Sequence, residues 1–195
     1  MKRIEVVSEN NLNSLLKIDN LKKTELIDLS EWKEYNITDL FELSLPNGDL
    51  QIKKVIVGNI PLITPSNTNN GMFQLISEDS KSTLYKKGSI TVDMFGNAYY
   101  HDYDFFVTAH GHVNVLIPKY DINSFSALFI CASIKSMFLQ KYGFNDMCTK
   151  TVLKKATIKL PAKKNGDLDY EYMEQYMRQL GKKVCLSLDK IQSEI

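Results

Sequence analysis

"IKLPAKKNGDLDYEYMEQYMRQL", residues Ile158 to Leu180, changes character three times. It opens as a strand that ends in Leu-Pro, passes through a basic loop carrying Asn165-Gly166, and becomes an acidic helix rich in Met and Tyr. A proline closes a strand because it cannot donate to the ladder, and Asn-Gly marks a turn. Asp167 is placed to cap the helix, with Asp169 and Glu171 in the first turn, where the helix dipole favours acids. Met173, Met177, Leu180, Val184 and Ile191 then follow a 4-3-4-7 spacing, with Ser187 in the vacant place. That is a heptad-like seam. Gly181 weakens it by ~1 kcal/mol relative to Ala. Such a seam packs either on the protein's own core or on another helix, and its position after the last strand favours the second.

Upstream, the chain reads as short strands between turns. "EWKEYNITDLFEL" alternates and stops at Pro46, Asn47, Gly48 and Asp49. "QIKKVIV" and "IPLIT" read as strands, and Pro65 to Gly71 as an exposed loop made of turn formers. "FQLI", "SITVDM", "NAYYH", "DFFVT" and "VNVLIP" follow, separated by turns at Lys87-Gly88 and Phe95-Gly96-Asn97. Spacing this even predicts a curved, largely antiparallel sheet. Asp121 to Gly143 is helical: Phe125, Leu128, Phe129, Ala132 and Phe138 share a face, widened by Ile130, Cys131, Ile134 and Met137, with Asn123 or Ser124 as cap and Gly143 as stop. "KKATIKLP" is one more strand. Leu12, Leu15 and Leu16 give only weak helical spacing near the N-terminus. The expectation is a mixed α/β (α+β) chain: an N-terminal segment over residues 1–30, one domain over 31–164, and a protruding helix over 165–195.

The 195 residues are 44% hydrophobic, enough for one sizeable core. No apolar run reaches the ~20 residues of a membrane span, and the N-terminus has no signal-peptide pattern. Cys131, Cys148 and Cys185 are odd in number and widely spaced, which predicts a reduced, cytoplasmic protein without disulfides or a zinc site. Net charge is only +1, but its distribution is uneven. Residues 1–80 carry −4, residues 81–164 carry +7 and residues 165–195 carry −2. A basic middle between acidic ends points to a polyanion-facing surface.

Several clusters carry chemistry, each with a plainer reading beside it. "HDYDFFVTAHGH" gathers His101, Asp102, Asp104, His110 and His112. His110 and His112 share a strand face at metal-ligand spacing, yet hydrogen bonding or contact with bases or phosphate suits so short a motif better. Asp79 and Lys81 form an Asp-x-Lys, as nucleases use around Mg²⁺, but no Pro-Asp pair lies at a suitable distance upstream and the serines favour a turn. No phosphate loop, dinucleotide fingerprint or nucleophile elbow is present, so no catalytic residue, metal site or cofactor is expected. "QKYGFNDMCTK" is the most loaded loop: Lys141 and Lys150 can neutralise phosphates, Tyr142 or Phe144 can stack or wedge, and Asn145 can pair with adenine. Its plain reading is a helix-to-strand connector. Asn67, Asn69 and Asn70 offer the same amide chemistry on a second loop, with turn formation as the plain alternative. Lys86 and Lys87 contact phosphate or are simply solvated. Asn97, Tyr99, His110 and His112 complete the candidate set.

The order of these elements resembles a known family. "EWKEYNITDLFEL" resembles the opening of a target-recognition domain in the specificity (S) subunits of type I, and some type II, restriction–modification systems. "KKGSITVDMFGNAYYHDYDFFV" resembles its middle hairpin and "VNVLIP" the strand after it. "LQKYGFNDMCTKTVLKKATIKLPAKKNGDLDYEYMEQYM" resembles its end, and here "IKLP…GDLDYEYME" is the most specific part. The resemblance spans roughly Glu31 to Leu180 and implies a non-catalytic subunit that reads double-stranded DNA. It implies partners too: an adenine methyltransferase (modification) subunit and, through it, the restriction subunit. A typical S subunit carries two recognition domains joined by long helices. This chain has one domain and one C-terminal helix, so it resembles half an S subunit, and a homodimer through Met173, Met177, Leu180, Val184 and Ile191 is expected. Two other readings remain open at this point: a small metal-dependent enzyme using His101, Asp104, His110 and His112, and a protein–protein adaptor.

Overall fold

Val113 to Pro118 forms the strand β8 that its run of strand formers predicts, and it pairs on both sides within the central sheet. The computed structural model describes residues 29, 32–46, 50–108, 112–138 and 141–193. The expected N-terminal helix, the Asn47-Gly48-Asp49 turn and His110 fall outside the described residues.

Among the described residues the strands divide into three sheets rather than one. The central sheet has the order β2 (Phe41–Ser44), β8, β5 (Ser89–Asp93), β6 (Ala98–His101), all antiparallel. A second sheet has the order β4 (Met72–Ile76), β3 (Val57–Ile63), β7 (Phe106–Val107), of which β3–β7 is parallel. The third is an antiparallel pair of β1 (Trp32–Asn36) and β9 (Thr157–Pro161), in which Trp32 faces Pro161. Every residue of β5 is buried. The cause is cover on both faces. Ile90 and Val92 point, with Ala98 and Leu116, toward helix α2 (Ser124–Phe138). The opposite face meets Ile63, Phe105, Val107, Val113 and Val115.

Two short helices interrupt what the pattern presented as strand. α1 (Ile37–Leu40) sits between β1 and β2 with Ile37 and Leu40 buried. α3 (Lys150–Lys155) precedes β9, so Lys154 and Lys155 are helical and not part of the expected strand. Thr149 caps α3, accepting from the Val152 N–H. The Ile37 N–H donates to the Ala156 carbonyl at 3.0 Å, joining the two interruptions. The expected strand over Gln51 to Val57 is corrected as well: Ile52–Lys54 is a 3-10 turn and β3 begins only at Val57. Gly58 is needed there, because a Cβ would lie 2.3 Å from the nitrogen of Ser77, the residue just after β4.

α2 is capped by Asn123, whose Oδ1 accepts from the Ser126 N–H. Of the expected face Phe129, Ile130, Cys131, Ile134 and Phe138 are buried, joined by Ala127, whereas Leu128 and Ala132 are exposed. The final helix α4 (Tyr170–Ser193) is capped by Asp169, which accepts from the Tyr172 N–H at 3.0 Å. Asp167, the expected cap, instead accepts from Asn165 in the preceding turn. The first half of α4 is anchored on α2. Met173 is fully buried, Ser126 Oγ donates to the Tyr170 carbonyl, Asn123 Nδ2 donates to Glu174, and the Arg178 guanidinium lies 4.1 Å from the centre of the Phe125 ring. Beyond Gly181 the apolar side chains are uncovered: Val184 is 52% exposed and Leu188 55%. The seam is therefore shared, its first turns used by the core and its later turns free of it.

Candidate nucleic-acid interface

The site grows from a buried acid, Asp93, at the end of β5. Its Oδ1 accepts from the Phe95 and Asn97 N–H groups at 2.9 Å each, and its Oδ2 from Asn97 Nδ2 at 2.9 Å. The Ser66 amide adds a further bond to it. Burial raises the Asp93 carboxyl above its ordinary pKa, and these hydrogen bonds pull it back down without cancelling the rise. Asp-x-x-Gly-Asn is a turn signature, and it was the sequence signal that could have singled Asp93 out. Gly96 takes a φ of 84° in that turn, and a Cβ there would meet the Phe138 Cβ at 2.6 Å.

Met94 continues the junction. Its N–H donates to the His112 carbonyl, and its own carbonyl accepts from the Cys148 N–H, both at 2.8 Å. The buried Asn114 Nδ2 donates to the Cys148 carbonyl at 3.2 Å. Loop 65–71, turn 94–97, the start of β8 and loop 141–149 are thus tied to one dipeptide at one end of the central sheet.

Loop 65–71 is rigid in an unusual way. Asn69 and Asn70 both occupy the left-handed region, with φ of 47° and 50°, which Asn tolerates better than most residues. The Thr64 N–H donates to Gly71, and Asn69 Nδ2 to the Met72 carbonyl. Asn67, Asn69 and Asn70 remain exposed. Tyr99 OH donates to the Ser66 carbonyl at 3.1 Å, and Lys135 lies over its ring. In loop 141–149, a Gly143–Asp146 pair of backbone bonds closes the tip. Lys141 and Asn145 are exposed there, Lys150 is half-buried at the start of α3, and Tyr142 is half-buried against Phe138.

Asn69, Asn70, His112, Lys141 and Asn145 are therefore on loops that share this junction. Asn97 and Tyr99 are there too, but their polar groups bind Asp93 and Ser66 and serve the scaffold. Lys86 and Lys87 are elsewhere. They precede Ser89, at the far end of β5 from Asp93, about 13 Å away at 3.3 Å per residue. Asp104 engages both, taking the Lys86 Nζ at 2.8 Å and the Lys87 N–H at 2.9 Å.

The metal reading loses its first ligand. His101 is buried, with Nε2 2.8 Å from Thr91 Oγ1 and Nδ1 3.2 Å from Tyr103 OH, against the Phe105 ring. Burial lowers its pKa to about 4, so the ring is neutral. Among the described residues no group of three or more His, Cys, Asp or Glu side chains could hold a metal. Asp79 is a turn former: it accepts from Ser82 Oγ at 2.7 Å and from the Lys81 N–H at 3.0 Å.

A mixed α/β scaffold that presents polar and basic loops at one sheet end, with a half-anchored helix behind, defines a recognition domain. Residues 29–186 match the family model described as "Type I restriction modification DNA specificity domain", and the chain belongs to that family. It is 30% identical over 167 residues to the "Type II restriction enzyme BgcI specificity subunit S.BcgI" of Heyndrickxia coagulans, covering 82% of this chain and 46% of that protein. The fold is shared with the type I restriction–modification S subunit from M. genitalium, at a TM-score of 0.57 and 14% identity over 95% of this chain and 49% of that one. It is shared also with the HsdS subunit from Thermoanaerobacter tengcongensis, at a TM-score of 0.53 and 12% identity over 93% of this chain and 45% of that one. The chain spans about half the length of the relatives it matches.

Proposed function

We propose that this chain is a non-catalytic DNA-reading unit equivalent to half a specificity subunit, which directs an adenine methyltransferase and, through it, a restriction subunit to one half-site. The observation that carries the reading is the convergence of loop 65–71, His112 and loop 141–149 on Asp93 and Met94 in a member of a DNA specificity family. Exposed Asn67, Asn70 and Asn145 supply paired donor and acceptor groups for base edges, Asn69 offers its side-chain oxygen while its amide nitrogen holds the Met72 carbonyl, and Lys141 and Lys150 supply charge for phosphates. The specificity subunit it resembles belongs to a restriction enzyme, which supports the assignment of partners.

One domain reads only a few base pairs, and selecting a site in a genome takes more discrimination. The uncovered turns of α4 support a joint: Leu180, Val184 and Ile191 continue a seam that the core covers only as far as Met173 and Met177. Residues 31–164 then act as the reader and residues 165–195 as the connector, to a second copy or to the modification subunit. A cytoplasmic location fits three unpaired cysteines and the lack, among the described residues, of a helix long and apolar enough to cross a membrane.

Duplex selection from a random library tests the reading, run with the chain alone and with its cognate modification subunit. Enrichment of one sequence, with affinity that falls as salt rises, supports it. Equal retention of all sequences at every salt concentration counts against it.

A further inference from the structure

We propose that Phe144 is an apolar wedge that enters the base stack and opens one step of the DNA site. The proposal rests on the DNA reading above and adds a mechanism to it. Phe144 is 78% exposed, a large ring held in water at the tip of loop 141–149. It is not loosely held. The Gly143 and Asp146 backbones bond to each other at 3.0 and 3.3 Å, closing the turn on either side of it. Its ring meets Phe95 edge-on, with centroids 5.2 Å apart and planes at 84°. Phe95 is itself fixed by its N–H bond to Asp93. The exposed ring thus has a rigid backstop that leads to the central sheet.

Tyr142, the other aromatic of the loop, is no candidate. It packs edge-on against Phe138 and lies half-buried against the main core cluster. Lys141, Asn145 and Met147, all exposed, lie within three residues of Phe144 on the same loop. From Phe138 to Lys164 the sequence holds seven lysines and a single acid, Asp146. An exposed apolar ring in so basic a stretch of chain matches a polyanion whose interior is a stack of flat, apolar rings. Wedges of this kind unstack a base step and kink the duplex. The cost is lowest at pyrimidine–purine steps, so the wedge reads sequence through deformability without a hydrogen bond to the step it opens.

The test uses the duplex enriched from a random library, with 2-aminopurine replacing one base at a time. Wild-type protein should raise the fluorescence at one step. Phe144→Ala, whose wild-type ring is exposed, should fold normally, bind roughly tenfold more weakly and raise no signal. A mismatch built into that step should restore most of its affinity, because the unstacking is already done. Tyr142→Phe should behave as wild type toward DNA. The wedge is overturned, with DNA recognition intact, if Phe144→Ala matches wild type in affinity and fluorescence. It is overturned too if the mismatch fails to rescue the variant, or if the variant loses only its modification subunit. A wild-type chain that enriches no sequence, alone or with that subunit, overturns the DNA reading itself and the wedge with it.

Discussion

Asp93 grips Asn97 twice, taking the Asn97 N–H on Oδ1 and Asn97 Nδ2 on Oδ2, each at 2.9 Å. The pair closes the turn beneath loops 65–71 and 141–149, so it sets the distance between the two groups of candidate base-reading side chains. Asp93→Ala leaves the N–H groups of the half-buried Phe95, Asn97 and Ser66 without their acceptor, each costing about 1 kcal/mol and more where water cannot reach. Urea unfolding should show a loss of several kcal/mol for this variant. Asn97→Ala, which removes one side-chain donor, should lose about 1 kcal/mol.

Stability should depend on pH through His101 and Asp93 in opposite directions. The folded protein keeps His101 neutral down to about 4, whereas an unfolded histidine protonates near 6.5. Its contribution is complete above 6.5 and is lost as pH falls from there toward 4, amounting to about 3 kcal/mol at 1.36 kcal/mol per unit. Asp93 has its pKa raised above the ordinary 3.8. Its contribution is complete below 3.8 and is lost as pH rises through the raised folded value. Thermal unfolding between pH 7.5 and 4.5 should fall steeply in wild type and much less in His101→Phe, while Asp93→Asn should steepen the fall.

Lysines at the two ends of β5 should behave differently toward DNA. Lys141→Ala with Lys150→Ala should weaken binding to all duplexes and reduce the salt slope by about 2. Lys86→Ala should change neither, because that ammonium already pairs with Asp104 and lies away from the loop junction. Asn145→Ala should shift base preference at one position by ~1–3 kcal/mol. Fluorescence anisotropy over a salt series measures all three.

Along α4, position decides the outcome. Met173 is fully buried, so Met173→Ala should cost about 2–5 kcal/mol in unfolding. Leu180 and Val184 are 40% and 52% exposed, so Leu180→Asp with Val184→Asp should leave the melting temperature nearly unchanged. Light scattering should then show that this double variant has lost an association that wild type makes.

β8 and β9 could be read because each is a clean run of strand formers closed by proline, at Pro118 and Pro161. Gln51 to Val57 misled because Ile52, Val55, Ile56 and Val57 are β-branched strand formers, yet Ile52–Lys54 forms a 3-10 turn that no described strand pairs with. α1 and α3 hold four and six residues, too few for a 3.6-residue period to declare itself. α2 is apolar on nearly all sides, so periodicity could not choose between the face of Leu128 and the face of Ile130. Among the site residues, the Asn and Lys loops were visible from composition. Which of two nearby aromatics is buried, Tyr142 or Phe144, depends on contacts with Phe138 and Phe95 that no local pattern encodes.

α4 is anchored at one end and uncovered at the other, which makes its length a dial. An α-helix turns 100° and advances 1.5 Å per residue. Inserting one residue between Met177 and Val184 would leave the buried end untouched and swing the exposed stripe by about 100° around the axis. On the proposed reading the loops would still meet the same bases, but a partner gripping the stripe would approach the duplex from another side. Inserting seven residues would nearly restore the angle and carry the stripe about 10.5 Å farther along the axis, about the advance of three base pairs. Small changes of length near Gly181 would therefore re-aim the proposed assembly without altering the loops proposed to contact DNA.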